Sequence, residues 1–206
     1  MWEIEKKASA ILRTAHNGEI PPAAIDIEWI IEAHFGLEVL PLPNLWASWN
    51  VHGVFCILDD GSHLVAIDEE TMDSKPHLYR FTLGEELGHH VLHSKFLPRC
   101  NDTGSAIKLY RELEGWWVLE RNARRFAAAV LMPMETLVPN AERAYARIAR
   151  SVSFKNEEMM LKYMAVALAD DYDVSSSAMG YRLQEYPARL ADRVRDAIKE
   201  GLDFLP

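Results

Sequence analysis

Arg80-Phe81-Thr82-Leu83-Gly84-Glu85-Glu86-Leu87-Gly88-His89-His90-Val91-Leu92-His93 is the stretch on which the reading of this chain turns. It reads as all but the first turn of a helix over residues 76–93. On a helix, residues four apart lie one turn apart, about 6 Å along the axis. With Glu85 as origin and about 100° per residue, His89 falls at about 40°, His93 at about 80° and Glu86 at about 100°. Four groups able to ligate a metal or accept a proton therefore share one face. His90, at about 140°, lies just outside it. Histidines four apart on a helix also describe an ordinary solvated face, so the surrounding sequence must supply the rest of a site.

Upstream, Ile4, Ala8, Ile11, Leu12 and Ala15 recur at helical spacing, and Pro21-Pro22 ends that segment. Asp26 can cap a second helix whose apolar face is Ile27, Ile30, Ile31 and His34/Phe35, with Gly36 as its stop. Residues 37–42 alternate in character and end in two prolines, as an edge strand does. Residues 51–58 and 63–68 are short apolar runs around Asp59-Asp60-Gly61-Ser62, a hairpin signal. Downstream, residues 94–105 hold Pro98, Asn101, Asp102, Thr103 and Gly104 and read as a loop. Helices are expected over about residues 107–131, 134–149, 157–172, 175–184 and 187–200. The expected fold is α+β: a small antiparallel sheet of about three strands packed on a mainly helical body. Length predicts a single domain over 1–206, with N-terminal helices and sheet in 1–75, motif helices in 76–133 and a helical part in 134–206.

Composition narrows the function. Lysine and arginine total 22 against 31 aspartates and glutamates, a net charge of −9. Hydrophobic residues make up 49% and charged residues 26%, the balance of a chain able to bury a core, so disorder is excluded as the main state. Two cysteines, Cys56 and Cys100, are too few for a disulfide scaffold. An acidic chain with no basic patch argues against direct nucleic-acid binding. Met1-Trp2-Glu3-Ile4-Glu5-Lys6-Lys7 lacks the basic-then-apolar pattern of a signal peptide, and no uncharged run approaches the roughly 18 residues of a membrane span. A cytoplasmic protein with reduced thiols and no membrane contact is expected.

The motif frame compares with H-E-x-x-H, in which two histidines hold zinc and the glutamate takes a proton from the attacking water. Here the frame reads Glu85-Glu86-Leu87-Gly88-His89, so the first ligand position carries a carboxylate. A third ligand must come from elsewhere, and Glu120 is the best candidate. It stands on a helix whose alanine stripe, Ala123 and Ala127-Ala128-Ala129, would let it approach the motif helix closely. Other features have plainer readings. Cys56 reads as a small core residue and Cys100 as a loop thiol with nothing beside it to activate it. Trp46/Trp49 and Trp116/Trp117 read as core or groove walls, and Arg143, Arg147 and Arg150 as a solvated helix face.

Three blocks together resemble the ImmA/IrrE-type metallopeptidases. Residues 80–93 are similar to the family's RFTLAHELGHxxLH. Residues 120–133 resemble ExxANxFAAxLLMP, whose glutamate falls on Glu120. Residues 168–183 are similar to LAxxFxVSxxAMxxRL. The resemblance runs over about residues 8–186. It implies a minimal zincin-like fold of gluzincin type and a cytoplasmic metal-dependent endopeptidase. The implied site has Glu85, His89 and Glu120 as ligands of one divalent metal and Glu86 as general base. Zinc is the first expectation for the metal, with manganese or iron as alternatives. It also implies a protein or peptide substrate such as a helix-turn-helix repressor, in stress-response regulation. The block around Val174 to Leu183 carries few basic residues and reads as a packed helical pair rather than a DNA reader.

The departure is Glu85, where the pattern has histidine. His, His and Glu ligands leave a dication with one net positive charge; Glu85, His89 and Glu120 leave none. Such a centre acidifies water less and favours harder metals. Two further readings follow. The ligands could slide one turn to His89 and His93 with Glu120, making His93 a substitute ligand or a support behind the site. Alternatively, the chain is a catalytically degenerate module that binds a repressor or antitoxin partner without cleaving it.

Overall fold

The computed structural model describes residues 2–22, 24–152, 156–185 and 187–205. In chain order the elements begin with α1 (Trp2–Ala15), α2 (Ile27–Trp29, continuing as a π-helical turn, Ile30–His34), β1 (Glu38–Leu42), α3 (Leu45–Trp49), β2 (Gly53–Ile57) and β3 (His63–Asp68). There follow α4 (Glu69–Ser74), α5 (Pro76–His93), α6 (Thr103–Glu112) and α7 (Trp116–Leu131). The chain ends with α8 (Met134–Ser151), α9 (Glu157–Tyr172), α10 (Ser176–Gln184) and α11 (Leu190–Glu200). This is the expected α+β class. By contact the chain divides into two compact units, Asp26–Ala128 and Met1–Ile25 with Ala129–Pro206.

In the unit Asp26–Ala128 the strands form a sheet in the order β1-β3-β2. The expected hairpin forms: β2 runs antiparallel to β3, and its turn holds Gly61 at φ 87°, a conformation suited to glycine. The sheet is mixed rather than antiparallel, because β1 pairs parallel with β3, Val39 opposite Val65. The physical reason lies in residues 43–52. That connection, with α3 inside it, is long enough to carry the chain across to the far edge of β3, as parallel pairing requires. β1 is an edge strand as expected, where the missing N–H of Pro41 costs little. Val54, Phe55, Cys56 and Ile57 of β2 and Val65, Ala66 and Ile67 of β3 are buried.

α5 spans the expected residues, with Pro76 in its first turn, and packs on β2 and β3. The single helix expected over 107–131 is two, α6 and α7. They are separated at Gly115, whose φ of 75° ends helical geometry. α6 starts inside the expected loop because Asp102 and Ser105 form a capping box: Ser105 N donates to Asp102 Oδ1 at 2.7 Å, and Asp102 N donates to Ser105 Oγ at 3.1 Å. The short helices α3 and α4 carry too few turns to show a period. α4 depends on a long-range anchor, since its cap Asp68 accepts from both Thr71 N and Trp46 N.

In the other unit, α9 packs against α8, α10 and α11 around Met160, Met164, Leu168, Met179 and Leu183. The block at 168–183 is thus a packed helical pair, with Ser175 capping α10 through Ala178 N. The last helix begins at Leu190, three residues later than expected. Arg182 is buried here. It donates to Glu5 Oε1 at 2.7 Å and Oε2 at 2.9 Å, and to Met132 O at 3.1 Å.

Candidate active site

The site lies within Asp26–Ala128, on the face of α5 that the helical angles marked. Two glycines let backbone come close to it. A Cβ on Gly53 would stand 2.6 Å from Thr82 Cγ2 and 2.9 Å from Ile67 Cδ1, so any side chain there would have to displace them for β2 to lie this close to α5. Two residues on, Phe55 N donates to Glu86 Oε2 at 2.7 Å and holds that buried carboxyl at the sheet edge. On the other flank, a Cβ on Gly88 would meet Ala123 Cα at 3.0 Å. The close helix approach expected from small residues on α7 is therefore made by Gly88 against Ala123.

That approach sets Glu120 beside His89, with His89 Nε2 3.2 Å from Glu120 Oε1. The Nδ1 atoms of His89 and His93 lie 3.2 Å apart, and Trp116 stacks on the His89 ring at 5.1 Å. Arg124, one turn beyond Glu120, closes the group. Its Nε donates to Glu85 Oε1 at 3.1 Å, and its Nη2 lies 3.5 Å from Glu120 Oε2. Glu85, Glu86, His89, Glu120 and Arg124 line a cavity of about 320 Å³ whose walls include Trp46, Phe55 and Trp116.

The electrostatics separate the three glutamates. Burial pushes the Glu86 carboxyl well above the usual range, the charges of Glu85 and Glu120 push further, and the Phe55 N–H opposes them. Burial also raises Glu85, to about 7; Arg124 opposes the rise and Glu120 adds to it. Burial would raise Glu120 too, but the His89 hydrogen bond and the charges of His89 and Arg124 outweigh it, leaving that group below the usual range. A carboxyl held high beside one held low is the pattern that separates proton carrier from anion in general acid–base sites.

The structure thus brings together Glu85, Glu86, His89, Glu120 and His93. His90, expected outside the face, packs edge-on against Phe35, Phe55 and His63 instead. Cys56 is buried, as expected. Cys100 is buried too, with its N donating to Ile57 O at 2.9 Å, and burial raises its thiol rather than activating it. Arg124, the Phe55 N–H and Trp116 as a stacking partner escaped the sequence reading. For Arg124 a signal was present: in ExxANxFAAxLLMP the asparagine falls on position 124. Glu85 and Arg124, the two departures from those patterns that change charge, are bonded to each other.

In kind, two carboxylates and an imidazole suit a divalent cation, and the guanidinium already draws both carboxylates towards one positive charge. In their present rotamers, no three His, Cys, Asp or Glu side chains among the described residues are grouped to hold a metal ion. Glu85 and Glu120 are turned to Arg124, and Glu120 also to His89.

The sequence matches the model of a metallopeptidase-like domain. The chain belongs to the IrrE N-terminal-like domain family (Peptidase M78), whose model matches residues 59–184. Among solved structures it is similar in fold to a Mycobacterium tuberculosis transcriptional regulator, at a TM-score of 0.53 and 16% identity, over 91% of this chain and 57% of that one. This chain therefore spans little more than half of that protein. No curated protein matches. Among the described residues, no helix is long and apolar enough to cross a membrane.

Proposed function

We propose that the chain is a cytoplasmic metal-dependent endopeptidase that hydrolyses a peptide bond in a regulatory protein such as a helix-turn-helix repressor. The observation that carries this reading is that Glu85 and Glu120 share the Arg124 cation, Glu120 also pairs with His89, and the buried Glu86 lies in the same cavity. These three side chains would hold a divalent metal, zinc first and manganese or iron as alternatives, and His93 would support the His89 ring. A metal bound there supplies Lewis acidity towards water and a carbonyl oxygen. Glu86 takes a proton from the attacking water and returns it to the leaving amine. The Phe55 N–H fixes the carboxyl so that its second oxygen is left for that work.

A second reading is favoured by Arg124: its hold on both carboxylates suits a module that binds a repressor or antitoxin without cutting it. Metal analysis of protein purified without chelator, alongside proteolysis by the wild type and Glu86→Gln, decides between them. The enzyme reading expects stoichiometric metal in both proteins and cleavage lost only in Glu86→Gln. Cleavage that persists in Glu86→Gln removes Glu86 as the base. Absence of both metal and cleavage from the wild type and from Glu85→His leaves the binding module.

A further inference from the structure

We propose that Arg124 is a built-in counter-ion of the metal site: its guanidinium and a metal ion compete for the Glu85 and Glu120 carboxylates, so that loading the site requires Arg124 to swing out. The inference rests on the metal-holding reading above and adds a residue that sets how tightly the metal is held.

Three independent observations carry it. The first is geometric. One guanidinium contacts two of the three candidate ligands, with Nε on Glu85 Oε1 at 3.1 Å and Nη2 at 3.5 Å from Glu120 Oε2. Glu85 Oε1 accepts from Nε, and a lone pair committed to an N–H is not free for a metal; Glu120 Oε2 lies within ion-pair reach of the same charge. The second is the pattern of departures. Glu85 adds one negative charge where the family motif has histidine, Arg124 adds one positive charge where it has asparagine, and the two are directly paired. The substitution is charge-neutral within the site, and it exchanges a neutral ligand for a carboxylate with its own cation attached.

The third is access. The Arg124 side chain is 65% exposed, so it can turn into water without unpacking anything buried. Its neighbour Arg121 is engaged elsewhere, over the Trp117 ring. The consequence is a site whose metal binds more weakly, and leaves more readily, than the donor set alone would give. The guanidinium then becomes free at the cavity mouth once metal is bound.

Calorimetric titration of chelator-treated protein with zinc, repeated with manganese, tests this on the wild type, Arg124→Asn and Arg124→Lys. Arg124→Asn should bind zinc about tenfold more tightly than the wild type, equivalent to ~1.4 kcal/mol. Arg124→Lys, which keeps the charge, should stay near the wild type. A structural role alone would not divide the two variants in this way. Equal affinity in the wild type and Arg124→Asn overturns the competition and leaves the metal site standing, and weaker binding in Arg124→Asn does the same. No binding by any of the three overturns both this proposal and the metal-holding reading. Arg124→Gln replaces Arg124→Asn if a melting curve shows the latter unfolded.

Discussion

Arg182 and Arg124 each hold glutamate, and their surroundings make the same pairing do different work. Arg182, at 2% side-chain exposure, spends its donors on both oxygens of Glu5 and on Met132 O, and its glutamate is 11% exposed. Four of its five N–H donors are engaged there, and water has little entry. Arg124, at 65% exposure, reaches two carboxylates that do not share a residue, with a cavity beside them. The first pair is sealed and structural. The second is open and exchangeable. What separates them is desolvation: a buried charge cannot give up its partner, whereas one in contact with water can.

The largest effect should come from breaking the sealed pair. Arg182→Met strands the Glu5 carboxylate and should cost about 3–5 kcal/mol in urea unfolding, while the double variant Glu5→Leu/Arg182→Met should recover most of that loss. A cost below about 1 kcal/mol for Arg182→Met would erase the distinction between the two pairs.

An intermediate effect should appear in the pH dependence of the metal-free protein. Glu85 titrates at about 7 when folded, above its ordinary value of 4.5, because burial disfavours its charge. A raised carboxyl means that the native state binds more protons than the unfolded state. The contribution is therefore complete below about 4.5 and is lost as pH rises towards 7. The melting temperature of the wild type relative to Glu85→Gln should accordingly rise as pH is lowered across that window. A difference that stays flat, or falls, would show that Arg124 neutralises Glu85 more completely than its exposure suggests.

The smallest effect should be that of Arg124→Asn on metal-free stability, below about 1 kcal/mol and shrinking with added salt, as for other exposed pairs. A loss as large as that of Arg182→Met would make Arg124 structural.

Much of the site was legible in the chain because it is local. Glu85, Glu86, His89 and His93 share a face by helical geometry alone, and α5 begins and ends where proline and the motif place it. Glu120 was reachable through the spacing of the second block. The Phe55 N–H was not: a main-chain donor leaves no mark in side-chain identity, and its role depends on Gly53 admitting β2 to α5. β1 read as an edge strand from its prolines, yet its direction depended on how residues 43–52 cross the sheet.

The sequence by itself determined the helical body, the hairpin, the face shared by Glu85, Glu86, His89 and His93, and the family, because these follow from spacing within single elements. Only the tertiary structure decided that β1 runs parallel, that Glu86 is held by a strand, and that the glutamate at position 85 came with its own cation at position 124. Each of those depends on a partner 26 or more residues away, and spacing along one element carries no information about which distant partner arrives or how much water comes with it.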